Sequence, residues 1–454
     1  MEGKKEWCTV NDYVTLVRGT TYKGNLVGEP GPALLGLGSI EPGGGFREGH
    51  YKTYGGDCPA KLMLLPGDLY VSLKGATKDG TMIGSVARVP NTVSSGRLTQ
   101  DTVKLEFRNP DPEDVSYLYW ILRTPHYRTY CAKRATGSAV VALSRQDFLG
   151  YPIPPLNFLR KQLVTLFEGI DRKIENLRRQ NETLERIAQT LFKQWFVDFE
   201  FPFDASTNSA QRFAQDRPFD ASTSSAQYFA QGKPSADCQP YKSSGGAMQP
   251  SELGEIPAGW RVGKLGDEVK TLGGGTPSTK EPDYWVDGDI PWYSPTDLTK
   301  SNTLFSLSSE KQITRLGLDK SSAKLFPAYS ILLTSRATIG EITINTKPAC
   351  TNQGFITLVP NDNFSVYFLH GWLLTQINLI KQLASGSTFP ELSKSTFRNF
   401  LFLIPKPEVL EKYNHAIEPL FKKVENNIRQ IQTLTKTRDA LLPKLMSGQL
   451  RIGG

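Results

Sequence analysis

The chain has 454 residues, enough for two to four domains that each bury a core of their own. Its 39% apolar and 10% aromatic content is typical of globular proteins and excludes a disordered chain. No apolar run approaches the roughly 18–20 residues of a membrane-spanning helix, and the five scattered cysteines include no Cys-x-x-Cys pair. We therefore expect a reduced, cytoplasmic protein without membrane contact, and the net charge of +8 is compatible with a nucleic-acid partner.

The first predicted element is a globular domain over residues 1–156. It ends in TGSAVVALSRQDFLGYPIPPL (136–156), a loop that leads into an apolar stretch and stops on prolines. The prolines mark the domain end because proline interrupts regular backbone hydrogen bonding. A long spacer helix is predicted directly after them, at 157–197.

Residues 198–255 are predicted to be a linker, because the segment shows no apolar periodicity. It contains a tandem repeat, PFDASTNSAQRFAQ (202–215) followed by PFDASTSSAQYFAQ (218–231), which is rich in Ser, Ala and Gln. We interpret the repeat as a tolerated spacer, and a short docking motif displayed twice is the alternative. A second domain at 256–407 and a second long helix at 408–449 follow.

The second half of the chain repeats the first. SGSTFPELSKSTFRNFLFLIPKP (385–407) shares with 136–156 a Gly-Ser, a Leu-Ser followed by a basic residue, a Phe and a final Ile-Pro. Residues 170–195 and 420–445 align without a gap and are identical at eight of 26 positions, more than chance gives. The predicted fold class is therefore α+β, with two similar domains, two long antiparallel helices and an internal pseudo-two-fold repeat.

Both long helices carry apolar residues at alternating spacings of four and three. This spacing predicts a coiled-coil seam, and its presence in both helices favours their pairing with each other. Polar residues within the seam cost stability but fix register and partner. The alternative is that each helix packs only on its own domain. The predicted seam residues are Ile174, Leu177, Asn181, Leu184 and Leu191 in the first helix, and Val424, Asn427, Ile431, Leu434 and Leu441 in the second.

Motifs of catalysis are absent from the sequence. The four histidines form no His-Glu-x-x-His or other metal-binding spacing, and no Gly-x-Ser-x-Gly elbow or Walker sequence is present. NPDP (109–112) differs from the Asn-Pro-Pro-aromatic motif of adenine methyltransferases at its last two positions. We expect a recognition or scaffold protein that is not an enzyme and binds no cofactor or metal itself.

Four stretches resemble the specificity subunit of type I restriction-modification systems, namely ASGSTFPELSKSTFRNFLFLIPKP (384–407), TNQGF (351–355), LGEIPAGW (253–260) and LLPKLMSGQLRI (441–452). The resemblance implies two target-recognition domains, each of which recognises half of a split DNA sequence, separated by two antiparallel helices. It also implies that the chain is non-catalytic and docks two methyltransferase subunits, which bind S-adenosylmethionine. Further restriction (motor-nuclease) subunits would complete the complex.

For contacts to double-stranded DNA we consider basic and amide residues in Gly/Ser/Thr-rich loops, because cations bind phosphates and Arg, Asn or Gln recognise base edges. Lys74 and Arg336 are favoured, since each precedes an Ala-Thr in a pair of similar segments, LLPGDLYVSLKGAT (64–77) and LFPAYSILLTSRAT (325–338). For every candidate the alternative is an ordinary surface charge. The candidates are Arg18, Lys23, Lys74, Lys78 and Arg97 in the first domain, and Lys280, Lys300, Lys324, Arg336 and Asn352 in the second.

The repeated exit stretch departs from the family pattern in its first copy, which has AVVALS where the second has TFPELS. If this loop touches DNA or a partner, the two domains differ there. Two alternative functions stay open from the sequence. One is the recognition subunit of a related system whose partner combines methylation and cleavage, and the other is a coiled-coil scaffold that does not bind DNA.

Overall fold

The computed structural model describes residues 7–75, 81–137, 141–203, 239–384 and 390–448. The described chain forms two compact units. The first comprises the residues up to Glu175 together with those from Gln432 onward, and the second comprises Asn176–Ile431. Each unit therefore contains one domain and a part of each long helix. Within the described residues, no helix is long and apolar enough to cross a membrane.

The domain of the first unit is built from short strands and short helices, and the long helix α5 follows it. The strands are β1 (Cys8–Thr9), β2 (Val14–Arg18), β3 (Ala33–Leu35), β4 (Lys52–Thr53), β5 (Met63–Leu64), β6 (Leu69–Ser72), β7 (Val86–Arg88), β8 (Gly96–Leu98), β9 (Thr102–Phe107) and β10 (Pro152–Ile153). The helices are α1 (Val10–Tyr13), α2 (Pro112–Ile121), α3 (Pro125–Arg134), α4 (Arg145–Leu149) and α5 (Phe158–Phe196).

Two four-stranded sheets form the centre of this domain. One is antiparallel with the order β2-β9-β6-β7, and the other has the order β4-β3-β8-β5 with β3 and β8 parallel. Strand β6 is buried on both faces, because Leu69 and Val71 pack into one apolar cluster and Tyr70 into another. Strands β1 and β10 pair, so the beginning and the end of the domain lie together.

The second unit has the same kinds of elements. The strands are β11 (Pro202–Phe203), β12 (Gln239–Pro240), β13 (Met248–Ser251), β14 (Gly254–Pro257), β15 (Arg261–Lys264), β16 (Lys270–Gly273), β17 (Ile290–Tyr293), β18 (Phe305–Ser306), β19 (Lys311–Ile313), β20 (Ile331–Thr334), β21 (Ile342–Asn345), β22 (Cys350–Thr351), β23 (Phe355–Val359) and β24 (Leu401–Ile404). The helices are α6 (Leu265–Glu268), α7 (Pro295–Ser301), α8 (Arg315–Asp319), α9 (Val366–Ala384), α10 (Lys394–Arg398) and α11 (Pro407–Ser447).

The second domain repeats the strand topology of the first. Its sheet β16-β23-β20-β21-β18 corresponds to β2-β9-β6-β7 with one strand added, and its sheet β19-β17-β22 corresponds to β4-β3-β8. The parallel pair recurs as β17 and β22, and the closing antiparallel pair recurs as β15 and β24. The internal repeat therefore extends to the domains, although their sequences have diverged.

The exit stretch, 136–156 in one domain and 385–407 in the other, has the same structural role in both as far as it is described. Its serine, Ser144 or Ser393, caps the following short helix by accepting a 3.0 Å hydrogen bond from a backbone N–H. The leucine before each serine and the phenylalanine inside each helix are buried. The final isoleucine lies in a strand that pairs with the first strand of the domain. The repeated motif is thus the closure of each domain.

The structure differs from the linker prediction at both ends of residues 198–255. Strands β11 and β12 pair with each other, β13 and β14 form a hairpin, and Phe201 stacks against both Tyr241 and Trp260. The prediction was wrong here because single aromatic side chains bury enough area to anchor a segment without any periodicity. Residues 204–238, with most of the tandem repeat, lie outside the described residues.

The two long helices run antiparallel where they meet within each unit. In the first unit, Arg160 near the start of α5 donates hydrogen bonds of 2.9 Å to the carbonyls of Leu445 and Met446 near the end of α11. In the second unit, the ring of Phe192 near the end of α5 lies 6.1 Å from that of Tyr413 near the start of α11. Helix–helix contact therefore contributes to the interior of both units.

The seam positions of α5 lie in the interior, and those of α11 do so in part. Ile174, Leu177, Asn181 and Leu191 are buried and Leu184 is half-buried. Val424 and Asn427 are buried, whereas Ile431, Leu434 and Leu441 are half-buried. In α11 the buried residues Phe421, Ile428 and Leu442 lie one position beyond the seam spacing. Packing of α11 against the domains thus widens its buried face beyond that of a pure coiled coil.

One polar pair lies on the seam within the second unit. Asn427 Nδ2 donates a 2.8 Å hydrogen bond to Asn181 Oδ1, and both side chains are buried. A buried amide without a partner costs about 1–3 kcal/mol. The pair therefore disfavours every register of these two helix segments in which the amides do not meet.

Candidate nucleic-acid interface

Lys74 and Arg336 occupy equivalent positions in the two domains. Each follows a central buried strand, β6 or β20, and each forms a β-bridge to the exit stretch, Lys74 with Ala142 and Arg336 with Glu391. In both domains the leucine after the bridge partner donates its N–H over 2.9 Å to the carbonyl of the residue before the cation. The cation and the exit stretch are thus held together by the backbone.

A tight turn lies at the same edge of each domain, at residues 99–101 between β8 and β9 and at 352–354 between β22 and β23. A glycine at or just after the end of a neighbouring strand allows the backbone to approach this turn closely. A Cβ on Gly19 or on Gly274 would lie within 2.0 Å of a carbonyl oxygen of the turn. Any side chain at these two glycines would therefore push the turn away from its strand.

Amide side chains are displayed on these turns. Gln100 and Gln353 are exposed at equivalent positions, and Gln353 Oε1 accepts a 2.7 Å hydrogen bond from Thr276. Asn352 is half-buried, and its Oδ1 accepts from the Gly354 N–H at 2.9 Å. The oxygen of Asn352 thus shapes the turn, and the exposed glutamines are better placed to contact a ligand.

Both favoured cations face a carboxylate. Arg336 Nε lies 2.7 Å from Glu391 Oε1, and Lys74 Nζ lies 3.8 Å from Asp101 Oδ1. The hydrogen bond and the charge of Glu391 raise the pKa of the Arg336 guanidinium, which stays charged at every relevant pH. All four side chains are about a third to a half exposed, so these pairs remain accessible to a ligand.

Arg97 was predicted to contact DNA, but the structure buries it. Its guanidinium donates to the carbonyls of Asp57, Leu98 and Thr21 and to the hydroxyl of Thr20 at 2.9–3.2 Å. Only 4% of the residue is exposed. Because its guanidinium bonds within the protein, Arg97 stabilises the loop that follows β2 and is not accessible to DNA. The prediction for Arg97 is therefore corrected.

Two further predicted residues lie close to the turns. Arg18 is exposed and ends β2, directly before Gly19. Lys324 is exposed and follows Ala323, whose backbone nitrogen would lie 2.5 Å from a Cβ on Gly275. The structure therefore brings basic residues from separate parts of the sequence to the same edge of each domain.

The remaining predicted residues are not brought to this edge by any contact of the described chain. Lys23 and Lys280 are exposed in loops. Lys300 lies in the last turn of α7 and is paired with Glu310, whose hydrogen bond and charge raise the pKa of the lysine. Lys78 lies outside the described residues.

Sequence reasoning missed the two carboxylates, Asp101 and Glu391, and the hydroxyl of Thr276. Glu391 belongs to TFPELS, the part of the exit stretch in which the second copy differs from the first. This difference was the signal in the sequence that could have pointed to Glu391. Its partner was not evident, because a β-bridge between distant segments leaves no local pattern in the sequence.

A second surface of interest lies between the helices within the second unit. We name it the helix groove, and it is lined by Asn176, Arg179, Gln180, Thr183 and Leu184 of α5 and Lys423 of α11. Each of these residues is identical to the residue 250 positions away, and the counterparts are Asn426, Arg429, Gln430, Thr433, Leu434 and Lys173. Six of the eight identities between the helices therefore fall on the helix groove or its counterparts. Burial alone does not require identity at such polar, largely exposed positions.

Residues 257–436 match the family model described as the type I restriction modification DNA specificity domain. The chain is 29% identical over 376 residues to the type I restriction enzyme MjaIX specificity subunit of Methanocaldococcus jannaschii, covering 81% of this chain and 75% of the relative. It is 29% identical over 347 residues to the HindI specificity subunit of Haemophilus influenzae, covering 72% and 74%. The chain is therefore similar to type I restriction-modification specificity subunits over most of its length, and its residues 257–436 match the DNA specificity domain of that family.

Specificity subunits of this kind are the DNA-recognition components of their systems and are not catalytic. A crystal structure of the type I specificity subunit from M. genitalium has the same fold, with a TM-score of 0.53, 16% identity, and coverage of 98% of this chain and 97% of that one. The resemblance inferred from the sequence is confirmed, and the mixed helix and strand fold class with it. The part matched by the family model lies mainly in the second unit, whose exit stretch keeps the fuller motif.

Proposed function

We propose that this specificity subunit recognises a DNA target in two parts, one for each domain, with a gap set by the two long helices. The observation that carries the proposal is the equivalence of Lys74 and Arg336. The two domains share their topology, their turn and the position of this cation, yet they differ in the chemistry displayed there. A protein that recognises two different half-sites needs such a common frame with different contact residues.

The basic residues and the glutamines of each turn would divide the work of recognition. Arg18, Lys74 and Lys324 suit phosphates, which position the duplex without conveying its sequence. Gln100, Gln353 and the Arg336 fork suit base edges in the major groove. The alternative role of these residues as plain surface charges predicts that their removal leaves DNA binding unchanged.

We further propose that the helix groove docks one methyltransferase subunit and that the repeated residues Asn426, Arg429 and Gln430 of α11 dock a second. Two identical partners require two identical surfaces, and the repeat supplies the same six residue types twice. S-adenosylmethionine would then bind in the methyltransferase, which would flip the target adenine out of the duplex and into its own active site. The complete assembly, with restriction subunits, would act on DNA in the cytoplasm.

The experiment for bipartite recognition is sequencing of modified adenines in a host that carries this chain and its methyltransferase. A gapped motif with two specified parts is expected. Replacing residues 1–156 by the corresponding domain of another family member should change one part only. A contiguous motif, or a change in both parts, would contradict the proposal.

The experiment for docking is co-purification with the methyltransferase, with stoichiometry measured by native mass. The wild-type chain is expected to carry two copies. The double variant Arg179→Glu and Lys423→Glu should carry one, as should the counterpart double variant Arg429→Glu and Gln430→Glu. As a matched control, Arg172→Glu with Lys436→Glu makes the same charge change as the first of these double variants at exposed helix positions outside both sets and should retain two copies. Retention of two copies by the groove variants would refute the assignment.

A further inference from the structure

The carboxylates that face the favoured cations are arranged differently in the two domains. Arg336 is held twice by Glu391, through a backbone β-bridge and through the 2.7 Å contact at Nε. In the first domain Ala142 takes the place of Glu391, and Lys74 is left with a longer contact, 3.8 Å, to Asp101. The second domain therefore fixes its cation more tightly than the first does.

The contact at Nε orients the guanidinium of Arg336. Because the group is planar, fixing Nε also fixes the direction of the two terminal nitrogens, which this contact does not use. The side chain is 49% exposed, so these nitrogens are accessible. An oriented pair of N–H donors matches the O6 and N7 acceptors of guanine, and the orientation saves conformational entropy on binding.

The charge of Glu391 works against a phosphate contact at the same place. A carboxylate at 2.7 Å cancels most of the field of the arginine at longer range and repels an approaching phosphate oxygen. The directional N–H donors are unaffected by this cancellation, since they act at hydrogen-bond distance. Lys74 has a weaker carboxylate contact and offers a point charge without a planar fork.

We propose that Arg336 is a base-specifying residue of the second domain, positioned by Glu391, and that Lys74 at the equivalent place of the first domain is a phosphate contact. This inference rests on the proposed recognition of DNA by both domains. It predicts that the same structural position contributes sequence discrimination in one half-site and uniform affinity in the other.

The test measures binding of the full chain, together with its methyltransferase, to its target duplex and to duplexes with single base-pair substitutions, over a series of salt concentrations. Arg336→Ala should lose about 5- to 150-fold discrimination at one base pair of one half-site. Arg336→Lys should lose the same discrimination, because it keeps the charge but not the fork. The slope of log K against log salt should be unchanged in both variants.

Two further variants complete the test. Lys74→Ala should weaken binding to all duplexes alike and reduce the magnitude of the salt slope by about 0.9. Glu391→Gln should lose discrimination at the base pair that Arg336 specifies, while affinity for non-target DNA rises and the salt slope steepens. Thermal unfolding of each variant shows that the chain is folded.

Uniform weakening by Arg336→Ala with a salt slope reduced by about 0.9 would make Arg336 a phosphate contact and overturn the inference. Unchanged discrimination in Arg336→Lys would overturn it as well. Wild-type binding that does not depend on DNA sequence would instead refute the proposed function itself, so the two failures are distinguishable.

Discussion

The two units attach their domains to the same pair of helices by opposite chemistry. In the first unit Asp171 of α5 accepts hydrogen bonds from Arg123 of the domain at 3.2 Å and from Arg438 of α11 at 2.8 Å. The residues at the corresponding helix positions, 250 residues away, are Phe421 and Ala188, which line one cavity in the second unit together with Tyr413. An ion network in one copy is thus replaced by aromatic packing in the other.

Other contacts between the long helices and the domains show the same difference, with polar contacts in the first unit and aromatic contacts in the second. Glu168 accepts two hydrogen bonds of 2.9 Å from Arg88 and one of 2.8 Å from Trp120 Nε1 in the first unit. In the second unit Phe196 packs edge-to-face with Phe368 and with Tyr413, with ring centroids 4.9 Å apart in both pairs.

Ion pairs have a required geometry, whereas aromatic packing is compatible with a range of side chains of similar volume. The two long helices therefore accommodate either kind of contact with a domain. The identities between the two helices therefore reflect something other than domain attachment, which is consistent with the helix groove as their cause.

The largest effect is expected from a substitution in the aromatic cluster that attaches the second domain to the long helices. Phe192 is buried, and its ring centroid lies 5.0–6.1 Å from those of three other aromatic rings, Phe196, Phe368 and Tyr413. Phe192→Ala should lower the free energy of unfolding by about 3–5 kcal/mol, as measured by urea denaturation. Leu166→Ala, at an exposed position of the same helix, is the control and should cost less than about 0.5 kcal/mol. A loss below about 1 kcal/mol for Phe192→Ala would mean that this junction does not depend on the aromatic cluster.

The long helices and their seam could be predicted because periodicity and proline boundaries are local signals. The structure gives α5 as Phe158–Phe196 and α11 as Pro407–Ser447, close to the ranges drawn from the sequence. The repeated exit stretch was equally visible, since its serine cap and buried phenylalanine act within one short helix.

The sheets and the junctions could not be predicted, because they depend on contacts between distant residues. Nothing local distinguishes buried Arg97 from an exposed arginine, or marks Glu391 as the partner of Arg336. The linker prediction was wrong at both ends of the segment for a related reason. Phe201 stacks on Tyr241 and Trp260, and no periodicity in the sequence indicates these contacts.

The second unit also contains a buried carboxyl group, whose ionisation should make the stability of this unit depend on pH. Burial raises the pKa of Glu185 to about 7, with a smaller contribution from the charge of Glu182, in the cavity that Phe421 and His370 also line. The unfolded chain ionises this carboxyl near its usual pKa. The free energy of unfolding should therefore fall as pH rises from about 4.5 to about 7.

Glu185→Gln should therefore raise the free energy of unfolding at pH 8 by as much as about 3 kcal/mol and change it little at pH 4. Burial lowers the pKa of His370 to about 4, so its own effect appears on acidification and is shared by variant and wild type. Glu411→Gln, at an exposed position of the same unit, should show no such pH dependence. An equal effect of Glu185→Gln at both pH values would contradict the buried-carboxyl explanation.

The smallest effect concerns Glu168, the carboxylate that Arg88 and Trp120 bind in the first unit. Here we expect stability to fall when the pH is lowered, which is opposite to the effect of Glu185. Burial by itself would raise the pKa of Glu168, but the hydrogen bonds and charge of Arg88 and the bond from Trp120 outweigh it and hold the pKa below its usual value. The stability that Glu168 contributes is therefore present above its ordinary pKa and is lost as pH falls through the folded value.

Glu168→Gln should lower the free energy of unfolding by about 1–2 kcal/mol at pH 7 and by less at acid pH. Its counterpart 250 residues away, Glu418, pairs with Lys422 at 2.9 Å on the surface of α11 and supplies the matched control. Glu418→Gln should cost at most about 0.5 kcal/mol, because exposed ion pairs on one helix contribute little. If the two substitutions had equal effects, Glu168 would be an ordinary surface carboxylate and the ionic junction would have to depend on Asp171 alone.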